Sequence, residues 1–149
     1  MKKFVVGAVI FLLSGAVTVS AKSNKKIDTR VEKAFQKDFI NATNAEWSSD
    51  DSYYYVQFEL NGERVNAVYL KEEAEFVGYA SFIDASHLPT ILKEGLIKKF
   101  GKHQLANRVI ELGYNDSIAY MLTIENDQEI LKIRIEGNNS TVLSRLQKL

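Results

Sequence analysis

The sequence predicts an α+β fold in which tandem helix-plus-four-strand repeats form one antiparallel sheet with two helices on one face. Three observations predict it. Two stretches carry apolar residues at three- and four-residue steps, the helical period. Each stretch is followed by segments whose apolar residues alternate at period two, as half-buried strands do. The strand segments of the second half also line up with those of the first. Tyr54, Val56 and Phe58 correspond to Tyr120, Leu122 and Ile124, and Val65, Ala67 and Tyr69 to Leu131, Ile133 and Ile135, at one offset of 66 residues.

The domain starts late in the chain. Met1-Lys2-Lys3 is followed by an apolar run from Phe4 to Val17, then by Thr18-Val19-Ser20-Ala21. A positive start, a short apolar core and small residues at the cut mark residues 1–21 as a cleavable signal peptide. The run is about fourteen residues long, short of the roughly 20 that a spanning helix needs. Val19 and Ala21 fit the −3 and −1 positions, so the exported protein is expected to begin at Lys22, to have no membrane attachment and to be periplasmic or secreted. The intact mass of the protein recovered from the cell envelope checks this; a mass that includes Met1–Ala21 refutes cleavage.

With no Cys in the chain, disulfides, thiolate nucleophiles and Cys metal sites are excluded. Stability must come from an ordinary core. Without Lys2 and Lys3 the chain has 17 basic and 19 acidic residues. No strongly basic stretch occurs, which argues against nucleic-acid binding.

Residues 22–26 read as a solvated tail, and 27–149 as a single domain with halves at 27–83 and 84–149. In the first half Ile27, Val31, Ala34, Phe35 and Phe39 make a helical stripe, with Asp28 or Thr29 as its cap. Ala45-Glu46-Trp47 is a short alternating strand, and Trp47 is expected in the core. Tyr53–Leu60 alternates, and Asn61-Gly62 follows, a two-residue hairpin turn in which both positions tolerate positive φ. That turn sets the register: Phe58 faces Val65, Val56 faces Ala67, Tyr54 faces Tyr69 and Glu59 faces Arg64, the last a surface ion pair. A further strand runs from about Glu75 to Ile83.

In the second half Leu88, Ile91, Leu92, Leu96 and Phe100 form the stripe, Pro89 opens the helix and Gly101 ends it. Strands are expected at Leu105–Leu112, Ile118–Glu125, Glu129–Glu136 and Thr141–Leu146. A half of about 60 residues is marginal alone, so the halves are expected to share one core.

These elements resemble a family. A helix carrying Lys37-Asp38-Phe39 precedes Ala45-Glu46-Trp47-Ser48 and the strand Tyr54-Tyr55-Val56-Gln57-Phe58; then come Val77-Gly78-Tyr79, and Leu88-Pro89 before a second helix. In that order, over roughly Val31 to Ile135, they resemble the PepSY-like proteins of the β-lactamase-inhibitor-like (BLIP-like) group. The resemblance implies a fold and a broad class: inhibitors of this kind bind a protein partner on the open sheet face, and PepSY domains are associated with protease propeptides and inhibition in the envelope. It brings no catalytic residues.

The residues themselves offer little chemistry. His87 and His103 flank the second helix, roughly 20 Å apart at 1.5 Å per residue, too far to share a metal. His87 reads as a helix-start residue and His103 as a surface loop residue. Asp50-Asp51 reads as a turn, with no calcium-loop spacing. No Gly-x-Ser-x-Gly and no phosphate-cradling glycine loop occurs. No catalytic residue, metal ligand or cofactor is expected.

What remains is surface. Alternation and the Asn61-Gly62 turn put Tyr53, Tyr55, Val68 and Leu70 together on the sheet face away from the helices, where they are expected to be accessible. The corresponding face of the second half carries Ala119, Met121, Thr123, Lys132 and Arg134, more polar and basic. An aromatic patch with a polar rim suits binding of a protein or peptide. The alternative is a small-ligand or sensor domain of the cell envelope.

Overall fold

The computed structural model describes residues 26–114 and 116–149; the signal-peptide reading lies outside them. Asp28 caps helix α1 (Thr29–Asp38) as expected, its carboxylate accepting from the Arg30 backbone N–H at 2.8 Å. Strands β1 (Thr43–Ser49), β2 (Tyr53–Leu60), β3 (Glu63–Leu70) and β4 (Phe76–Asp84) follow. A 3-10 turn at Ala85–His87 leads to helix α2 (Thr90–Phe100), with Pro89 at its N-cap. The rest is β5 (Gln104–Leu105), β6 (Arg108–Tyr114), β7 (Ser117–Glu125), β8 (Glu129–Glu136) and β9 (Asn139–Gln147). The described residues are α+β in class, mostly antiparallel sheet with two α-helices. No helix among the described residues is long and apolar enough to cross a membrane.

The chain divides into two compact units. The first holds the described residues up to Ser81 with Gly113–Asp116; the second holds Phe82–Leu112 and Ser117–Leu149. In the first unit the strands are ordered β1-β2-β3-β4. Asn61 and Gly62 have φ of 53° and 83°, the left-handed conformation the hairpin turn requires. The register follows from it: Tyr54↔Tyr69, Val56↔Ala67, Phe58↔Val65 and Leu60↔Glu63. One face of this hairpin packs under Val31 and Phe35 of α1. Phe58 sits 5.0 Å from Phe35 and 4.7 Å from Phe39, ring centre to ring centre. Trp47 is half-buried against this cluster, edge-on to Phe35 at 5.3 Å, and not enclosed as the sequence suggested. It lies on β1, which ends the strand order of this unit and leaves the indole one neighbouring strand.

In the second unit the order is β6-β7-β8-β9, with β5 pairing β7. Tyr120↔Ile135, Leu122↔Ile133 and Ile124↔Leu131 are partners, and this face packs with Leu88 and Leu96. Each unit therefore has its own apolar cluster, where one shared core was expected. The strand expected at 105–112 is two pieces: Ala106 N–H turns to the Thr123 carbonyl, and the Asn107 carbonyl accepts from Ala85. Ile91 is 71% exposed and outside the stripe. It lies about 100° behind Leu92 around the helix, while Leu96 and Phe100 drift the other way.

Candidate functional site

The expected site lies on the first unit's sheet face opposite α1. Tyr54, Val56 and Phe58 on β2, and Val65, Ala67 and Tyr69 on β3, belong to the α1 cluster. Their alternates point the other way. Rows across the strands show what that face offers. Ser48, Tyr55, Val68 and Gly78 are successive partners, and Tyr53 is opposite Leu70. Gln57 faces Asn66, and their side-chain amides bond at 3.0 Å.

The register thus brings Tyr53, Tyr55, Val68 and Leu70 together, but their exposure differs. Tyr53, Tyr55 and Leu70 are partly exposed, with the two Tyr rings 6.2 Å apart. Val68 is 0% exposed, against the expectation that all four are accessible. The reason is its place. β3 has a neighbour on both sides, and the short Val side chain stands directly opposite the much larger Tyr55. Val68 is a floor for the patch, not part of its surface.

Asp50 organises the rim. Its Oδ1 accepts from the backbone N–H of Ser52 and Tyr53 at 2.9 and 2.8 Å, the turn-forming role expected of it. Its Oδ2 accepts from the Tyr55 hydroxyl at 2.7 Å, and Lys71 donates to its backbone carbonyl. Burial pushes the Asp50 carboxyl up, yet the Tyr55 hydroxyl, the two backbone donors and Lys71 outweigh it and hold the group below its ordinary value. Burial and the Asp50 carboxylate together raise the Tyr55 phenol, so it stays a protonated donor. Tyr55 is therefore a rigid aromatic, fixed at its tip. Glu59 and Arg64 are opposite as expected, but the Glu59 carboxylate accepts from Asn44 at 3.1 Å.

The second unit holds a cluster that the sequence reading missed. His103, taken for a surface loop residue, has a side chain only 11% exposed. Its Nε2 lies 3.1 Å from Glu129 Oε1, and Arg145 donates to Glu129 Oε2 at 2.7 Å. Asn126 Nδ2 is 3.2 Å from the same Nε2. These partners are 23 to 42 positions away in sequence, so local pattern had no signal for them. Spacing does not reveal a pair made by tertiary packing. Among the described residues no group of three or more His, Asp or Glu side chains is placed to hold a metal ion.

No protein-family model matches the chain, and no curated protein matches it. Solved structures do. A BLIP-like protein from Bacteroides fragilis NCTC 9343 has a TM-score of 0.64 at 15% identity, covering 82% of this chain and 86% of that one. A DUF2874 family protein from Bacteroides ovatus ATCC 8483 has a TM-score of 0.62 at 15% identity, covering 82% and 88%. A Bacteroides eggerthii DSM 20697 chain named among "putative periplasmic proteins" has a TM-score of 0.61 at 17% identity, covering 82% and 89%. At these identities the likeness is one of fold.

Proposed function

We propose that this chain is an exported, non-enzymatic binding module that recognises or inhibits a protein or peptide through the sheet face that α1 leaves open. The observation that carries the proposal is the pair Tyr53 and Tyr55, partly exposed and 6.2 Å apart on that face. Tyr supplies large contact area with little entropy to lose; the Tyr55 ring is held by its hydroxyl on Asp50, and the same carboxylate anchors the Tyr53 backbone N–H. Leu70 adds apolar surface, and Val68 supports it from beneath. The likeness in fold to a BLIP-like protein and to a chain named as periplasmic supports the class and the compartment. In the same reading, residues 27–149 are one PepSY-like/BLIP-like domain built as a tandem repeat.

The test is capture of partners from envelope extract on the immobilised protein, then affinity measurement with variants. Tyr55→Ala is expected to weaken binding by roughly 2 kcal/mol, about 30-fold, if the residue is a hot spot. Tyr55→Phe keeps the ring and loses the Asp50 bond, so it is expected to weaken binding less. Unchanged affinity in Tyr55→Ala, with folding intact, removes this face as the site. The alternative is a small-ligand or sensor domain of the cell envelope that uses the same sheet face.

A further inference from the structure

β9 ends the strand order of the second unit, so among the described residues no strand lies along its outer side. Every residue of β9 except Ser140 is exposed, and Leu146 is 64% exposed. Proline and lysine, which guard many edge strands, are absent from it. Its only charged side chain, Arg145, is paired with Glu129 of its own chain at 2.7 Å. The register shift within it lies opposite Lys132 and Ile133, so Ser144–Gln147 is a regular run.

Hydrogen bonds decide which backbone groups of that run face outward. Glu129 uses both of its groups on the turn beside it. Its N–H donates to Asn126 Oδ1 at 2.9 Å, and its carbonyl accepts from the Asn126 N–H at 3.0 Å. Gln147, the partner of Glu129, is therefore in a non-hydrogen-bonded pair. One residue further on, the Lys148 N–H donates to the Gln128 carbonyl at 2.8 Å, as that alternation requires. Gln147 and Arg145 thus point their N–H and C=O away from β8, while Leu146, opposite Ile130, points its own toward β8.

A strand added here must bring outward groups to outward groups. An identical strand related by a twofold axis runs antiparallel and does so when Arg145 of each copy is opposite Gln147 of the other. Four backbone hydrogen bonds then form, two at each such pair. Leu146 meets Leu146 of the second copy on the axis, and with Ile130 on either side they make one apolar row. Moving the axis by one residue loses this. It sets Arg145 against Arg145, like charges face to face, or Gln147 against Gln147 with each Leu146 opposite Lys148.

We propose that β9 is a self-association edge, where a second copy of this chain pairs through Ser144–Lys148 with Leu146 at the twofold. So short a ladder buries less than the roughly 1,200 Å² of stable complexes, so the dimer is weak and forms at high local concentration. The proposal does not rest on the Tyr53–Tyr55 face.

Sedimentation equilibrium of the purified protein is expected to show monomer and dimer with a Kd of about 0.1–1 mM. Gln147→Pro removes an N–H that β8 does not use and the second copy does. It is expected to leave the protein monomeric while the melting temperature holds. The chain has no Cys, so single-cysteine variants report proximity directly. Leu146→Cys places two thiols on the axis at a Cα separation of about 4.5 Å, within disulfide reach. Leu143→Cys, at a position 48% exposed, is the control, its two copies lying about 20 Å apart along the strands. With O2 as the oxidant that takes up the two electrons and two protons, Leu146→Cys is expected to cross-link about tenfold faster or more. A protein still monomeric at about 1 mM, a dimer that Gln147→Pro leaves intact, or equal cross-linking of the two cysteine variants overturns the proposal.

Discussion

Phe58→Ala is expected to lower stability by about 3–5 kcal/mol, the cost of removing a large aromatic from a packed core. For a domain of this size that is a fall in Tm of roughly 10–20 °C. Phe58 is 1% exposed, so the change opens a cavity that solvent does not fill. Its ring is edge-on to Phe35 at 5.0 Å and tilted against Phe39 at 4.7 Å. Each such aromatic pair contributes about 0.5–1.5 kcal/mol beyond the area it buries. Because Phe35 belongs to α1 and Phe58 to β2, the substitution removes one of the contacts that hold this helix on its sheet. Tyr55→Ala, three positions away on the other face of the same strand, is expected to cost much less. Thermal melts of the two variants side by side check this. A loss under about 1 kcal/mol for Phe58→Ala means that the aromatic cluster repacks around the gap.

That contrast between neighbouring residues was legible in the sequence, because the hairpin is specified locally. Asn61-Gly62 fixes the turn, the turn fixes the register, and the period of two assigns the faces. In the second hairpin only the shared face was legible, from the period of two; the pairing of Tyr120, Leu122 and Ile124 with Ile135, Ile133 and Leu131 comes from the structure. What was not legible depends on a third element. Val68 is paired with Tyr55 as the register requires, but its burial needs β4 on its other side, and nothing in the hairpin announces that. Trp47 looked like core by residue type, yet an end strand leaves it half-covered. His103 is the clearest case. Asn126, Glu129 and Arg145 come from the β7–β8 turn, β8 and β9 in that order, and each is an ordinary polar residue in its own segment. Only their convergence makes a cluster.

Gly113 is expected to tolerate no side chain, for reasons of space and not of backbone conformation. It lies in β6 and is absent from the positive-φ glycines, Gly62 and Gly137. A Cβ built there would stand 2.1 Å from Tyr79 Cε1 and 2.6 and 2.7 Å from Cζ and Cδ1. No carbon approaches another that closely, so the Tyr79 ring must swing away. It is not free to do so cheaply, because it packs against the α1 cluster and stands edge-on to Phe39 at 6.1 Å. Gly113→Ala is therefore expected to cost at least the 1–3 kcal/mol typical of overpacking. Gly95→Ala provides the internal comparison: the residue is in α2 with nothing within 4 Å of its Cβ position, so the change is expected to stabilise by about 0.5–1 kcal/mol through helix propensity. The steric cause is separable from other effects by a double-mutant cycle. Tyr79→Ala removes the ring, and in that background Gly113→Ala is expected to cost far less, with a coupling energy of about 0.5–3 kcal/mol. If Gly113→Ala is as costly without the Tyr79 ring as with it, the close approach is not what makes glycine necessary at this position.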